Sequence, residues 1–195
     1  MSADHSIAPT DVQATIAQLW VYPVKSCAGI SLTVAELTDT GLLYDRAWMV
    51  VDEDGEFVTQ RELPRMALIQ TAFKMGQLVL RAPGMLALHL ALDAAEGPLK
   101  VRVWDDEVMA CDMGDLAAQW FSDFLGAPAR LVRFDPDVQR LSSLKWTGGV
   151  PAPVHFGDGF AVLVASAAVF TALLVSPAGE TPTAPQCATT GNRVD

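Results

Sequence analysis

WVYPVKSCAGISLTVAELTDTGLLYDRAWMVVDEDGEFVTQRELPRM, residues 20–66, decides the fold class. Its apolar runs are short, rich in Val, Ile, Trp and Tyr, and cut by turn residues, which is the pattern of strands rather than helices. Thr15–Val24 alternates and is predicted as a strand closed by Pro23, which lacks the donor that a central ladder needs. Ile30–Leu37 repeats the alternation. Ala47–Asp52 and Glu56–Gln60 flank Glu53-Asp54-Gly55, and an Asp-Gly pair between two apolar runs predicts a hairpin. Into this framework a few basic and hydroxyl residues are set at strand ends. Lys25 and Ser26 follow the proline-closed run, and Arg46 stands between Asp45 and the run Ala47–Val51.

Working outward, further short runs are expected as strands at Ala67–Phe73, Gln77–Ala82, Met85–Leu90, Leu99–Trp104 and Glu107–Cys111. Met75-Gly76, Pro83-Gly84 and Asp105-Asp106 separate them. Many short strands joined by close turns imply a compact barrel or sandwich. The pattern then changes period: Leu116, Ala117, Trp120, Phe121 and Phe124 share one face at helical spacing. Asp112 is the expected cap of that helix, and Gly126 with Pro128 is its stop. Leu131–Phe134 is a further expected strand. The fold class expected is therefore mainly β, of the β-barrel kind, with one packed α-helix. Residues 1–14 read as a polar tail, 15–135 as one β domain and 136–155 as a Pro- and Gly-rich linker. Residues 156–195 then open a second domain with an apolar strand and helix over Phe160–Pro177.

Composition limits the function classes. The chain has 195 residues, 51% hydrophobic and 18% charged, with a formal net charge of −10. That is enough apolar content for one substantial core. An acidic chain poor in Lys and Arg is not a general nucleic-acid binder, so any anionic ligand must be met locally. The three cysteines, Cys27, Cys111 and Cys187, show no CxxC or Cys/His spacing, which argues against a structural zinc site or a disulfide framework. A reducing, cytoplasmic location is expected. No stretch has the length and apolarity of a membrane span. Nucleotide-binding glycine motifs, the metalloprotease HExxH and the serine-hydrolase elbow are all missing.

Two readings of the basic residues stand side by side. Lys25 and Ser26 can supply an ammonium and a hydroxyl to a phosphate or pterin oxygen, with Arg46 adding a planar two-pronged donor. Alternatively, Lys25 extends to solvent at a strand end, while Arg46 pairs with Asp45 or Asp39 on the surface.

Four segments in order carry a resemblance: YPVKSCAGI (22–30), residues 41–66 containing YDR and TQRELP, VWDDEVMACDMGDLAAQWFSDFLGAPARLVRF (103–134), and FGDGFAVLVAS (156–166). They resemble the MOSC-type molybdenum-cofactor proteins with an N-terminal β-barrel module, the group that includes the mitochondrial amidoxime-reducing component and bacterial relatives. The resemblance implies that Lys25, Ser26 and Arg46 contact the phosphate and pterin of the molybdenum cofactor. It places Arg61 near the cofactor mouth, an ion pair with Glu62 being the alternative, and offers Ser166 at a strand-to-helix turn. It further implies a molybdenum-dependent reduction of N-hydroxylated compounds, with a separate redox protein as electron donor, or a cofactor or sulfur carrier without turnover. The family pattern continues to an Arg-Phe-Arg motif and a molybdenum-ligating cysteine. SPAGETPTAPQCATTGNRVD (176–195) keeps AGETP but not that pattern, so Cys187 is not assigned the ligand role. The expectation is a truncated or frameshifted chain whose second MOSC domain is incomplete, leaving an apolar Phe160–Val175 segment open to self-association.

Overall fold

The computed structural model describes residues 14–167. Eleven strands and one α-helix follow one another: β1 (Leu19–Val21), β2 (Ile30–Leu32), β3 (Leu37–Thr38), β4 (Gly41–Leu42), β5 (Trp48–Val51), β6 (Gln70–Lys74), β7 (Gln77–Arg81), β8 (Leu88–Ala91), β9 (Gly97–Val103), β10 (Asp106–Asp112), α1 (Asp115–Leu125) and β11 (Arg130–Phe134). A single 3-10 turn, Pro64–Leu68, precedes β6. The strands form four sheets, ordered β5-β11-β10-β9, β6-β7-β8, β1-β2 and β3-β4, and every pairing within them is antiparallel. The mainly β architecture with one helix is as the sequence predicts.

β5 explains where the core sits. Trp48, Met49, Val50 and Val51 are all buried, so both faces of this strand are covered and its sequence is continuously apolar. Trp48 and Val50 face one cluster, which contains Ala117, Trp120, Phe121 and Phe124 of α1 with Leu78, Leu80, Leu88 and Leu90. Met49 and Val51 face the other, with Val101, Val103, Val108, Ala110, Val132, Phe134 and Phe156. Period-two alternation in β11 divides Leu131 from Val132 and Phe134 in the same way. Full burial of one such aromatic side chain stabilises by about 1.5–3 kcal/mol, so the helix is held to the sheet mostly by Trp120, Phe121 and Phe124.

Several boundaries differ from the sequence pattern, each for a local reason. The first strand is only Leu19–Val21, because residues 14–18 are exposed and have no partner strand. The Ile30–Leu37 alternation breaks into β2 and β3. The Glu53-Asp54-Gly55 hairpin forms: Asp52 N donates to Glu56 O at 2.9 Å and Val58 N to Val50 O at 2.9 Å. Asp112 does not cap α1. It is the last residue of β10, the position before the helix is Gly114, and the Asp112 carboxylate accepts from Gly114 N and pairs with Arg130. Leu116, expected on the buried face, is 72% exposed. Gly126 ends the helix in the left-handed region, φ 75°.

Two compact units divide the chain, Met1–Leu163 and Val164–Asp195. In the first unit, the stretch 136–155 is tied back by buried Arg140, which donates to Asp106 at 2.6 Å and to the carbonyls of His155 and Gly157 at 2.8 Å each. Val154 and Phe156 are buried beside it. Of the second unit only Val164–Ala167 is described; the expected helix there and Cys187 lie outside the described residues. Among the described residues no helix is long and apolar enough to cross a membrane.

Candidate functional site

Two tight turns build the site. In the first, Cys27 N donates to Val24 O at 3.1 Å, closing a four-residue turn over Lys25 and Ser26. In the second, Ala47 N donates to Tyr44 O at 3.4 Å, over Asp45 and Arg46. In each turn the third residue has positive φ: Ser26 at 67° and Arg46 at 47°. Glycine is the ordinary occupant of such a position; a serine or an arginine there costs about 1–2 kcal/mol. Strain of this kind persists where the surroundings impose it. Here the surroundings are explicit. Lys25 N donates to Trp48 O at 2.9 Å, Arg46 N to Tyr22 O at 2.8 Å, and Phe156 N to Arg46 O at 3.1 Å.

The two turns open onto a cleft of about 640 Å³ lined by Lys25, Ser26, Arg46, Arg61, Tyr22 and Asp158, among others. Four of the five residues predicted from sequence are thus brought together. Ser166 belongs to the second unit, Val164–Asp195, and is exposed.

Lys25 does not extend to solvent. Its side chain is only 7% exposed; Nζ donates to Phe156 O at 2.9 Å and to Asp158 Oδ1, and it stands 5.2 Å from the centre of the Phe57 ring. Burial pushes its pKa below the ordinary lysine value, the charges of Arg140 and Arg46 act in the same sense, and Asp158 opposes them. Asp158 is itself 67% exposed. Burial of its remaining part raises the carboxyl pKa, but the hydrogen bond and charge of Lys25, the Trp104 indole and Arg61 outweigh it and hold the group below the usual carboxylate range.

Arg46 makes the ion pair that the alternative reading gave it, but with a buried partner rather than on the surface. It pairs with Asp45, whose other oxygen accepts from Tyr22 N at 2.7 Å, and it lies 5.0 Å from the Tyr22 ring. Gly29 permits this arrangement: a Cβ there would stand 2.7 Å from the Tyr22 ring. Among the described residues Arg61 forms no ion pair with Glu62, whose Oε2 accepts from Thr59 N at 2.8 Å and from Thr59 Oγ1 at 3.0 Å. Instead the Arg61 guanidinium lies 5.5 Å from the Trp104 ring. Cys27, beside the turn, is buried, and burial pushes its thiol up to about 12, so it is no thiolate near neutral pH. His155 is held below its ordinary value by burial, partly offset by Asp45.

Three residues escaped sequence reasoning: Asp158, Trp104 and Arg140. Asp105-Asp106 was visible as punctuation after Trp104, but nothing local shows that Asp158 meets Lys25. Trp104 also has positive φ, 56°, at the tip of the β9–β10 hairpin, and its Nε1 donates to Asp158 Oδ1 at 3.0 Å. Among the described residues no three His, Cys, Asp or Glu side chains form a metal-holding group. Chemically, the cleft offers the cations Lys25, Arg46 and Arg61, the hydroxyls of Ser26, Thr59 and Tyr22, the Asp158 carboxylate and aromatic rings, in a protein acidic elsewhere. Such a lining suits an anion beside aromatic rings.

Comparison with known proteins shows the family. Residues 13–128 match the MOSC N-terminal beta barrel domain. The mitochondrial amidoxime reducing component 2 of Bos taurus is 41% identical over 136 residues, covering 66% of this chain and 40% of the relative. The mitochondrial amidoxime-reducing component 1 of Mus musculus is 39% identical over 163 residues, covering 79% and 48%. The molybdenum cofactor sulfurase of Danio rerio is 38% identical over 133 residues, covering 65% and 16%. A solution structure of a Bordetella bronchiseptica protein aligns with TM-score 0.44 at 31% identity, covering 54% of this chain and 92% of that one. The chain therefore spans less than half the length of these curated relatives. With its match extending over more than half of its own residues, this chain belongs to the MOSC N-terminal β-barrel family, a family associated with the molybdenum cofactor.

Proposed function

We propose that the Lys25 cleft holds the phosphate and pterin of the molybdenum cofactor, and that the protein serves the reduction of N-hydroxylated compounds. The observation that carries the reading is the convergence of Lys25, Ser26, Arg46 and Arg61 on one cleft, with two of them held at positive φ. The donor set fits the group. Lys25 Nζ and Ser26 Oγ suit phosphate oxygens, and the Arg46 and Arg61 guanidinium planes suit phosphate or the edge of a flat heterocycle. When bound, the cofactor supplies the redox metal at which oxygen is removed from the substrate. The residues of this chain do the rest of the work available to them: Lys25 and the two arginines fix the anion, and Asp45 orients Arg46. Tyr22 provides a ring on one side of the cleft. In this reading a separate redox protein supplies the electrons.

A second reading, in which the cleft receives or hands on the cofactor without turnover, is favoured by the sulfurase relative. The test is to purify the full chain from a host that makes the cofactor. Molybdenum per chain is then measured together with conversion of an aryl amidoxime to the amidine by a supplied electron donor. Near-stoichiometric metal with turnover is the expected result. Metal without turnover selects the second reading, and protein lacking both metal and pterin contradicts both.

A further inference from the structure

The anion that Lys25 holds in this structure belongs to the protein itself. Asp158 lies on an exposed turn between Gly157 and Gly159, yet its Oδ1 receives both the buried Lys25 ammonium and the Trp104 indole N–H. The contacts are unequal in support. The Lys25 side chain is enclosed, held by the Phe156 carbonyl and flanked by Phe57 and Trp104, whereas Asp158 is two-thirds exposed. The base of its turn is fixed by Arg140, which donates to Gly157 O at 2.8 Å; among the described residues, the donors to the carboxylate beyond it are Lys25 and Trp104. Trp104 in turn sits in a left-handed conformation at a hairpin tip, 43% exposed. A bulky aromatic residue there is a strained choice, and it has the effect of aiming the indole N–H at the lysine's partner.

We propose that Asp158 is a resident counter-anion that a phosphate-bearing ligand displaces from Lys25, and that its departure gives the ligand two donors at once, Lys25 Nζ and Trp104 Nε1. This inference rests on the cofactor-binding reading and deepens it by adding Trp104 to the binding residues and an internal competitor to the site. Electrostatics supports the exchange. With Asp158 in place, the three cations Lys25, Arg46 and Arg61 face two carboxylates, Asp45 and Asp158, and the cleft attracts anions weakly. A phosphate dianion carries twice the charge of the carboxylate and more acceptor oxygens. Until it arrives, a buried ammonium is not left unpaired.

Titration of the full chain with inorganic phosphate tests this, following binding by calorimetry and the indole N–H signals by 1H–15N NMR, with Trp104→Phe assigning the relevant signal. Asp158→Asn removes the competing charge and should tighten phosphate binding by about 1.4- to 5-fold, the range expected for a mostly exposed ion pair. In the unaltered protein the Trp104 indole signal should move as phosphate is added, and Lys25→Ala should abolish both binding and movement. Unchanged or weaker binding by Asp158→Asn, or a stationary Trp104 signal during Lys25-dependent binding, overturns the exchange and leaves the cofactor reading intact. Absence of phosphate binding in both the unaltered chain and Asp158→Asn overturns the reading along with the exchange. If Asp158→Asn does not fold, the Trp104 signal alone decides.

Discussion

The Lys25 cleft and a second cleft of about 440 Å³ contain similar kinds of residues in opposite arrangements. The second is lined by Asp52, Glu53, Asp54, Lys100 and Arg130 with the outer side of α1. Its cations are paired at the surface. Lys100 reaches Glu107 at 2.6 Å, and Arg130 reaches Asp112 and Asp115 at 2.7 Å each. None of its lining residues except Gly55 has positive φ. In the Lys25 cleft the lysine is enclosed, two side chains are aimed by left-handed backbone, and aromatic rings stand beside the cations. A cleft with charges in it is ordinary; charges taken out of water and aimed by strained turns signal a site.

Removing the clamp behind the Lys25 cleft should have the largest effect. Arg140→Ala deletes the donor to the His155 and Gly157 carbonyls. It should lower stability by about 2–4 kcal/mol, as expected for charge-assisted bonds to buried groups, measured by urea unfolding. Lys25→Met separates binding from folding. It should weaken cofactor retention by about 2–4 kcal/mol while leaving stability unchanged or raising it by about 1 kcal/mol, because an apolar chain replaces a buried charge. A parallel loss of stability would show that Lys25 is structural. Arg46→Ala should weaken retention by about 1–3 kcal/mol, and unchanged retention would remove Arg46 from the site. Arg130→Ala, in the other cleft, should leave retention unchanged and cost about 1 kcal/mol or less in stability; an effect on retention equal to that of Arg46→Ala would erase the distinction between the clefts.

The smallest effect is a pH dependence confined to one cleft. Lys25 has a folded pKa below the ordinary 10.5. Between the two values the unfolded chain carries a proton that the folded chain has released, so this group's contribution to stability rises with pH across that window. Anion retention falls over the same window as Nζ loses its charge. The difference in urea midpoint between the cofactor-free protein and Lys25→Met should therefore drift upward as pH approaches 10.5, while retention by the unaltered protein declines.

Much of the fold was legible in local sequence pattern. The Asp-Gly hairpin, the strands β6 to β10 and the apolar face of α1 follow from local pattern, since turn chemistry and periodicity act over a few residues. Charge at strand ends was legible at Lys25 and Arg46, but it left two readings open, and only the family resemblance put the two residues in one site. What was not legible depends on chain distant in sequence. Asp158 meets Lys25 across 133 residues, and Arg140 meets Asp106 across 34. Asp112 looked like a helix cap because its side chain suits that role, but pairing with β9 and β11 keeps it in a strand, and tertiary register overrides local preference. Leu116 shared the helical spacing but fell at the edge of the buried stripe.

The most direct test of the central claim is pterin content per purified chain from a cofactor-making host, compared among the unaltered protein, Lys25→Met and Arg130→Ala. Near-stoichiometric pterin in the unaltered chain and Arg130→Ala, lost in Lys25→Met, is the predicted result. Pterin retained by a folded Lys25→Met protein would contradict the assignment of the cofactor to this cleft.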